Sequence, residues 1–196
     1  MSYDSSMDTL EAIRTRRSVG LSQGDVSRET ISELIETATL APNHKLTQPW
    51  RFTVVKGAAR ERLGEVWARE AAAGVDPAKR AAVMEGEARK PLRAPVVIAV
   101  STRTDPNPVT AEEDLTATAA AVQNLLLAAH AKGLSAAWKT GKITSSLEVK
   151  RFLGLEPSDR IIAMVYLGAE GKEQPGSRDR RVRSTITWLD ELALTV

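Results

Sequence analysis

The chain has 196 residues, apolar residues make up 42% of it, and its formal net charge is +2. That length fits one domain, or a protomer whose core a partner completes, and so small a net charge gives no pull toward nucleic acid or an anionic membrane. With no cysteine and only two histidines, His44 and His130, the chain is excluded from disulfides, thiolate metal sites, iron–sulfur clusters and cysteine nucleophiles, and a histidine-rich metal centre is disfavoured.

No apolar run reaches the ~18 residues of a membrane span. The polar start from Met1 to Asp8 lacks the apolar stretch of a secretory signal, which points to the cytoplasm. A first helix is predicted from about Asp8 to Arg16. Asp8 would be its N-cap, Glu11 the capping-box partner, and Leu10 and Ile13 its buried stripe. A polar loop with Gly20 and Gly24 leads to a second helix near Ser27. Ile31, Leu34, Ile35 and Ala38 share one face of it, and Pro42 ends it.

Phe52 to Val55 reads as a short buried strand. Ala58 to Ala73 is helical, with Leu63, Val66 and Trp67 inward. Asp76-Pro77 starts another helix, to about Arg89; its apolar face is poor, Val83 and Met84 among charges, so residues 69–90 read as a peripheral excursion. Val96 to Val100 is the next buried strand. Thr110 is expected to cap the longest helix, with Glu113 in the capping-box place, and Gly133 follows its end at about Lys132. Ala117 to Ala131 is apolar almost all round, the pattern of a central helix or a subunit interface. Ser135 to Trp138 reads as a strand, Ser145 to Phe152 as a short helix ended by Gly154, and Ile161 to Leu167 as a buried strand. The tail is basic from Arg178 to Arg183, then apolar at Ile186, Trp188 and Leu189. There is no repeat, no linker and no regular βαβ alternation, so the fold class is α+β, in one domain over residues 1–196.

Neither a G-x-G-x-x-G turn nor a Walker A loop occurs, and His44 has no G-x-S-x-G serine to serve. His130 falls near the end of the long helix, where the dipole favours a proton, and reads as a packed histidine; the dipole also accounts for Glu112-Glu113-Asp114 near that helix's start. Any redox chemistry must therefore come from a bound cofactor.

Three segments carry a candidate site. Arg14, Arg16 and Arg17 end the first helix, either as simple dipole partners or as a phosphate clamp, because guanidinium binds phosphate oxygens in pairs. The Pro42 to Phe52 segment offers Asn43, His44, Lys45, Thr47 and Gln48 ahead of a buried strand, the setting in which anionic or heterocyclic ligands bind, or else a plain connection. Trp138-Lys139-Thr140-Gly141 leaves a strand with a cation and a hydroxyl, or is the anchored end of an edge strand.

Taken in order, Arg16-Arg17-Ser18, then Leu40 to His44 ahead of Gln48-Pro49-Trp50-Arg51-Phe52, then Trp138-Lys139-Thr140 resemble the flavin-binding segments of the nitroreductase family, above all its small single-domain branch. Lys132-Gly133-Leu134 and Ile161 to Gly168 match as well, and the resemblance runs from about Leu10 to Trp188. Asn43 and Leu46 stand where many members have Ser and Asn. Lys139 stands where the branch often has Arg, keeping the charge without the fork.

The resemblance implies a mainly antiparallel central sheet flanked by helices, a long buried central helix and an intertwined homodimer. It implies FMN as cofactor, with hydride chemistry carried by FMN and no catalytic side chain. Cofactor binding would fall to Arg16, Arg17, Ser18, Leu40, Pro42, Asn43, His44, Gln48, Trp138, Lys139 and Thr140, and to a C-terminal arginine, taken as Arg181. The Leu40 to His44 loop would reach a flavin held mainly by the other subunit. NAD(P)H and a small acceptor, such as a nitroaromatic or a quinone, would react in ping-pong order. Residues 69–90 would form a lid, and residues 169–196 would pack on the partner subunit. Flavin-cleaving enzymes and reductive dehalogenases of the same family, or a non-catalytic flavin-binding module, would share these residues. Nucleic acid, membrane and metal are not expected.

Overall fold

The computed structural model describes residues 7–20, 22–171 and 186–188. In chain order the elements are α1 (Thr9–Thr15), β1 (Ser22–Gln23), α2 (Arg28–Ala38), β2 (Trp50–Lys56), α3 (Ala59–Ala71), α4 (Pro77–Ala88), β3 (Val96–Thr102), α5 (Pro108–Ala131), β4 (Ser135–Lys139), α6 (Leu147–Phe152), β5 (Arg160–Gly168) and β6 (Glu170–Gly171). Four strands form one sheet in the order β2-β3-β5-β4, antiparallel at every pairing, and β1 pairs with β6 beside it. The fold is α+β with an antiparallel sheet.

β3 is buried along its whole length, and its two-residue alternation divides the core. Val96, Ile98 and Val100 point to a layer built with Ile31 and Leu34 of α2 and with Val122, Leu125 and Leu126 of α5. Val97 and Ala99 point to the opposite layer, with Leu63 and Trp67 of α3 and Val149 of α6. β5 crosses between these layers at a bulge. Val100 pairs with Ala163 but Ser101 pairs with Ile161, so Ile162 is the extra residue. Beyond it the facing reverses: Ala163, Val165 and Leu167 join the α2–α5 layer, and Ile161 joins the other.

α2 forms as its pattern predicts. The Ser27 hydroxyl caps it by accepting from the Thr30 amide at 3.1 Å. Ile31, Leu34 and Ala38 are buried, each large side chain contributing ~1.5–3 kcal/mol of transfer free energy. α5 starts earlier than its sequence reading. Asn107, not Thr110, is the N-cap, its Oδ1 accepting from the Val109 amide at 2.9 Å, and Pro108 takes the first helical place. Glu113 is thereby displaced into the second turn and is no capping-box residue.

α1 departs from expectation more sharply. Asp8 sits at its N-cap without a side-chain cap bond, and Ala12 is its one buried residue. Leu10 and Ile13 are 56% and 50% exposed. A seven-residue helix cannot bury a stripe for which the protomer supplies no partner.

α4 falls within the predicted excursion of residues 69–90 and packs closely on α3. A Cβ built at Gly64 would lie 2.3 Å from the Ala88 carbonyl oxygen, so only glycine admits α4 at that distance. α4 has no fully buried residue, and Val83 and Met84 are half-buried.

Candidate active site

β4 is an edge strand of the sheet, and two of the predicted segments meet along it. The chain leaving α1 runs in beside β4, where the Val19 amide donates to the Ala136 carbonyl at 3.3 Å. Arg16, Arg17 and Ser18 immediately precede that contact. Trp138 and Lys139 close the same strand, and Thr140 follows, only ~7–13 Å further along at ~3.3 Å per residue. The Trp138 indole N–H donates at 3.0 Å to the carbonyl of Ile162, the bulged residue. The indole thus serves a backbone acceptor that the ladder bypasses.

The three residues after α1 have different fates. Arg16 is half-buried. The Arg17 guanidinium folds back and donates to the Arg14 and Arg16 carbonyls at 2.7 and 3.0 Å, which is helix C-capping. Ser18 is exposed. Arg181 lies outside the described residues, as do Arg178, Arg180, Arg183 and most of the tail.

The second segment takes a conformation that its composition does not announce. Lys45, Leu46 and Gln48 have φ of 56°, 51° and 46°, left-handed values that cost a residue with a Cβ ~1–2 kcal/mol each. Side chains hold them there. The Asn43 amide donates to Thr47 Oγ1 at 2.9 Å, and its carbonyl oxygen accepts from the Gln48 amide at 2.7 Å. Thr47 in turn donates to Asp114 Oδ1 at 2.5 Å, and His44 Nδ1 meets Glu113 Oε2 at 3.0 Å. Asp114 is buried. Leu40, Pro42, His44 and Gln48 are exposed at the surface of this loop, Leu40 at 79%, whereas the Asn43 amide is spent inside it.

Glu113 and Asp114 are the residues that sequence reasoning missed. A dipole argument covered them, yet with α5 capped at Asn107 they are a turn and a half inside it, where they anchor the loop. The available signal was their offset: Asp-Pro-Asn-Pro at residues 105–108 offers an earlier cap and proline start.

The loop and the arginines stand at opposite ends of α5. Asp114 marks one end. His130 marks the other, with Nε2 2.8 Å from Thr15 Oγ1 at the end of α1. At ~1.5 Å rise per residue these two α5 positions are roughly 24 Å apart. Within one protomer, the His44 loop and Arg16 therefore flank different regions. Burial lowers the His130 pKa, the Arg16 and Arg17 charges lower it further, and Glu11 opposes them. This shift runs opposite to the direction in which the C-terminal dipole of α5 would act.

A cavity of about 720 Å³ lies between the ends of α3 and α4 and the turn after β4; Trp67, Glu70, Glu87, Lys90, Thr140 and Lys142 are among its walls. The excursion and one predicted site residue, Thr140, thus share a cavity. Val83 and Met84 do not line it. Among the described residues there is no group of three or more His, Asp or Glu that could hold a metal, and no helix is long and apolar enough to cross a membrane.

The family model described as "Nitroreductase family" matches residues 13–169. An Escherichia coli K12 protein named "Putative NAD(P)H nitroreductase YdjA" is 33% identical over 165 residues, covering 83% of this chain and 88% of its own. The crystal structure of the Nitroreductase-like Family Protein from Bacillus cereus superposes with a TM-score of 0.81 at 26% identity, over 94% of this chain and 97% of that one. The structure described as "a putative nitroreductase in complex with fmn" from Desulfovibrio desulfuricans superposes with a TM-score of 0.67 at 30% identity, over 90% and 92% of the two chains.

Proposed function

The chain belongs to the nitroreductase family, and on that premise we propose that it is an FMN-dependent oxidoreductase. It would take hydride from NAD(P)H and pass it to a nitroaromatic, a quinone or a similar small acceptor. The observation that carries the reading is a contact on β4: the chain that follows Arg16–Ser18 bonds through Val19 to Ala136, on the strand that ends in Trp138 and Lys139. Their donor set suits FMN. Guanidinium and ammonium groups complement a phosphate, and the Ser18 and Thr140 hydroxyls complement a polyol. The FMN complex from Desulfovibrio desulfuricans supports the same cofactor.

Bound FMN supplies the two-electron carrier that a chain without cysteine lacks. The protein's part is binding, orientation and charge. Arg16 offsets the phosphate charge, and Arg17 fixes the end of α1 that presents Arg16. Lys139 and Thr140 bring a cation and a hydroxyl to the heterocycle's polar edge, where donors stabilise added negative charge. NAD(P)H and the acceptor would use one pocket in turn, with residues 69–90 as its lid.

The site would be completed by a second copy of the chain. α5 leaves Ala119, Gln123 and Leu127 half-buried and outside its core cluster, Leu40 lines a groove with Leu127, and Leu10 and Ile13 of α1 are exposed apolar side chains. A two-fold pairing there would bring the His44 loop of the partner toward the Arg16 end, closing the ~24 Å gap that separates them in one protomer. The cytoplasm is the compartment consistent with this chemistry.

The test is an anaerobic absorbance titration of the FMN-supplied protein with NADPH and then NADH, followed by a nitroaromatic or a quinone. Bleaching by one nucleotide and recovery with the acceptor is the expected course. A protein that retains no flavin would sink the reading. Sedimentation of an FMN-loaded monomer at micromolar concentration would sink the shared site.

A further inference from the structure

Thr15 joins the end of α1 to the end of α5, and its hydroxyl fixes the state of His130. The Thr15 hydroxyl donates its proton to the Glu11 carbonyl at 2.7 Å. His130 Nε2 lies 2.8 Å away; with the hydroxyl proton on the Glu11 carbonyl, Nε2–H is the donor to Thr15 and Nδ1 is the nitrogen left to titrate. Among the described residues, Glu11, Arg16 and Arg17 act on this imidazole. Two positions further along the chain, Lys132 pairs with Glu33 of α2 at 2.6 Å. Glu11 is thus the acidic neighbour opposing two guanidinia. The same two guanidinia precede the β4 contact at which the proposed phosphate would lie.

We infer that His130 is the proton-linked member of this anion site: when an anion settles on Arg16, beside the capping Arg17, Nδ1 of His130 takes up a proton from water. This rests on the reading that Arg16 offsets the flavin phosphate. The physical cause is charge compensation. The arginines disfavour imidazolium in the free protein, and an anion beside them cancels that field. Linkage then requires the reciprocal effect, tighter anion binding as the pH falls through the His130 titration. His130 acts through the charge of the site and needs no contact with the phosphate, so it is a positioning residue rather than a catalytic one.

The experiment follows the His130 imidazole by NMR from pH 5 to 8.5 in the full-length protein, free and with FMN, riboflavin or inorganic phosphate. The chain has two histidines, so loss of a signal in His130→Gln assigns it. The expected result is a midpoint that moves to higher pH with FMN and is unmoved by riboflavin, which lacks the phosphate. In parallel, FMN affinity measured from pH 8 to 5.5 should gain about two- to tenfold more in the wild type than in His130→Gln, the scale of one screened charge interaction. A midpoint unmoved by both saturating FMN and inorganic phosphate, equal movement by riboflavin, or identical pH dependence in the variant would overturn the coupling. Movement by inorganic phosphate but not by FMN would keep the coupling and remove the flavin phosphate from this place. Failure to bind FMN at any pH would remove both. The wild-type titration stands even if the variant folds poorly.

Discussion

Asn43→Ala should release the His44 loop without unfolding the protein. Three left-handed residues, Lys45, Leu46 and Gln48, cost roughly 3–6 kcal/mol together. Against that stand four side-chain interactions: Asn43 with Thr47, Asn43 with the Gln48 amide, Thr47 with Asp114, and His44 with Glu113. At ~0.5–1.5 kcal/mol for the neutral bonds and ~1.5–3 for those to a carboxylate, they contribute roughly 4–9 kcal/mol, a margin of only a few kcal/mol. The substitution removes both Asn43 bonds, about 2 kcal/mol, and brings the open loop within reach of the closed one. Hydrogen exchange should accelerate at the Gln48 amide by about tenfold or more, the factor that ~1.4 kcal/mol represents. The urea midpoint should barely move, because the loop is exposed and outside both core layers. FMN affinity should fall with loop order. Unchanged exchange at Gln48 would refute the assignment of Asn43 as the brace. A fall in the global midpoint matching the loss of protection would refute the claim that the loop opens alone.

Arg16→Ala should weaken FMN by roughly tenfold or more, from the ~1.5–3 kcal/mol of a charged hydrogen bond; fluorescence titration with equal affinities would remove Arg16 from the clamp. Trp138→Phe keeps the ring but deprives the Ile162 carbonyl of its indole donor, so urea unfolding should show a loss of ~1–2 kcal/mol, and an unchanged midpoint would mean that the bond contributes nothing. Gly64→Ala forces a Cβ against the Ala88 carbonyl and should cost ~1–3 kcal/mol by overpacking, with early proteolysis between α3 and α4; intact resistance would contradict that contact. For His130 the pKa is depressed in the folded chain, so the unfolded chain, titrating near the ordinary 6.5, binds its proton first. Its contribution to stability is complete above that pH and is lost as the pH falls below it. The flavin-free wild type should therefore lose stability on acidification relative to His130→Gln, and parallel pH profiles would show that the imidazole is not strained.

Much of the fold was legible because burial follows period. Ile31, Leu34 and Ala38 lie on the predicted face of α2, and β3 and β5 are the buried strands that their β-branched runs announce. Gly133 closes α5 with φ of 73°, as the sequence suggests. What failed was set by groups distant in sequence. Leu10 and Ile13 have helical spacing, but no described element covers them. The bulge at Ile162 leaves no mark in a run of apolar residues. The left-handed turns at Lys45, Leu46 and Gln48 contradict local preference; Asn43 braces them locally, and Thr47 and His44 tie them to Asp114 and Glu113, nearly seventy positions away. In the candidate site, the residue types at Arg16 to Ser18 and Trp138 to Thr140 were readable. The division of labour among them was not: Arg17 caps a helix, and Trp138 serves a bulge.

The ~24 Å that α5 puts between the His44 loop and Arg16 has a genetic reading. If each site draws one end from either chain, Arg16 and His44 are trans-acting halves of a composite. A variant damaged at Arg16 and another damaged at His44 would each form symmetric dimers with both sites defective. Co-expressed, they would also form mixed dimers in which the two lesions fall into the same site, leaving the other site wild type throughout. Two inactive alleles would restore flavin binding to each other, whereas two alleles damaged at the same end could not.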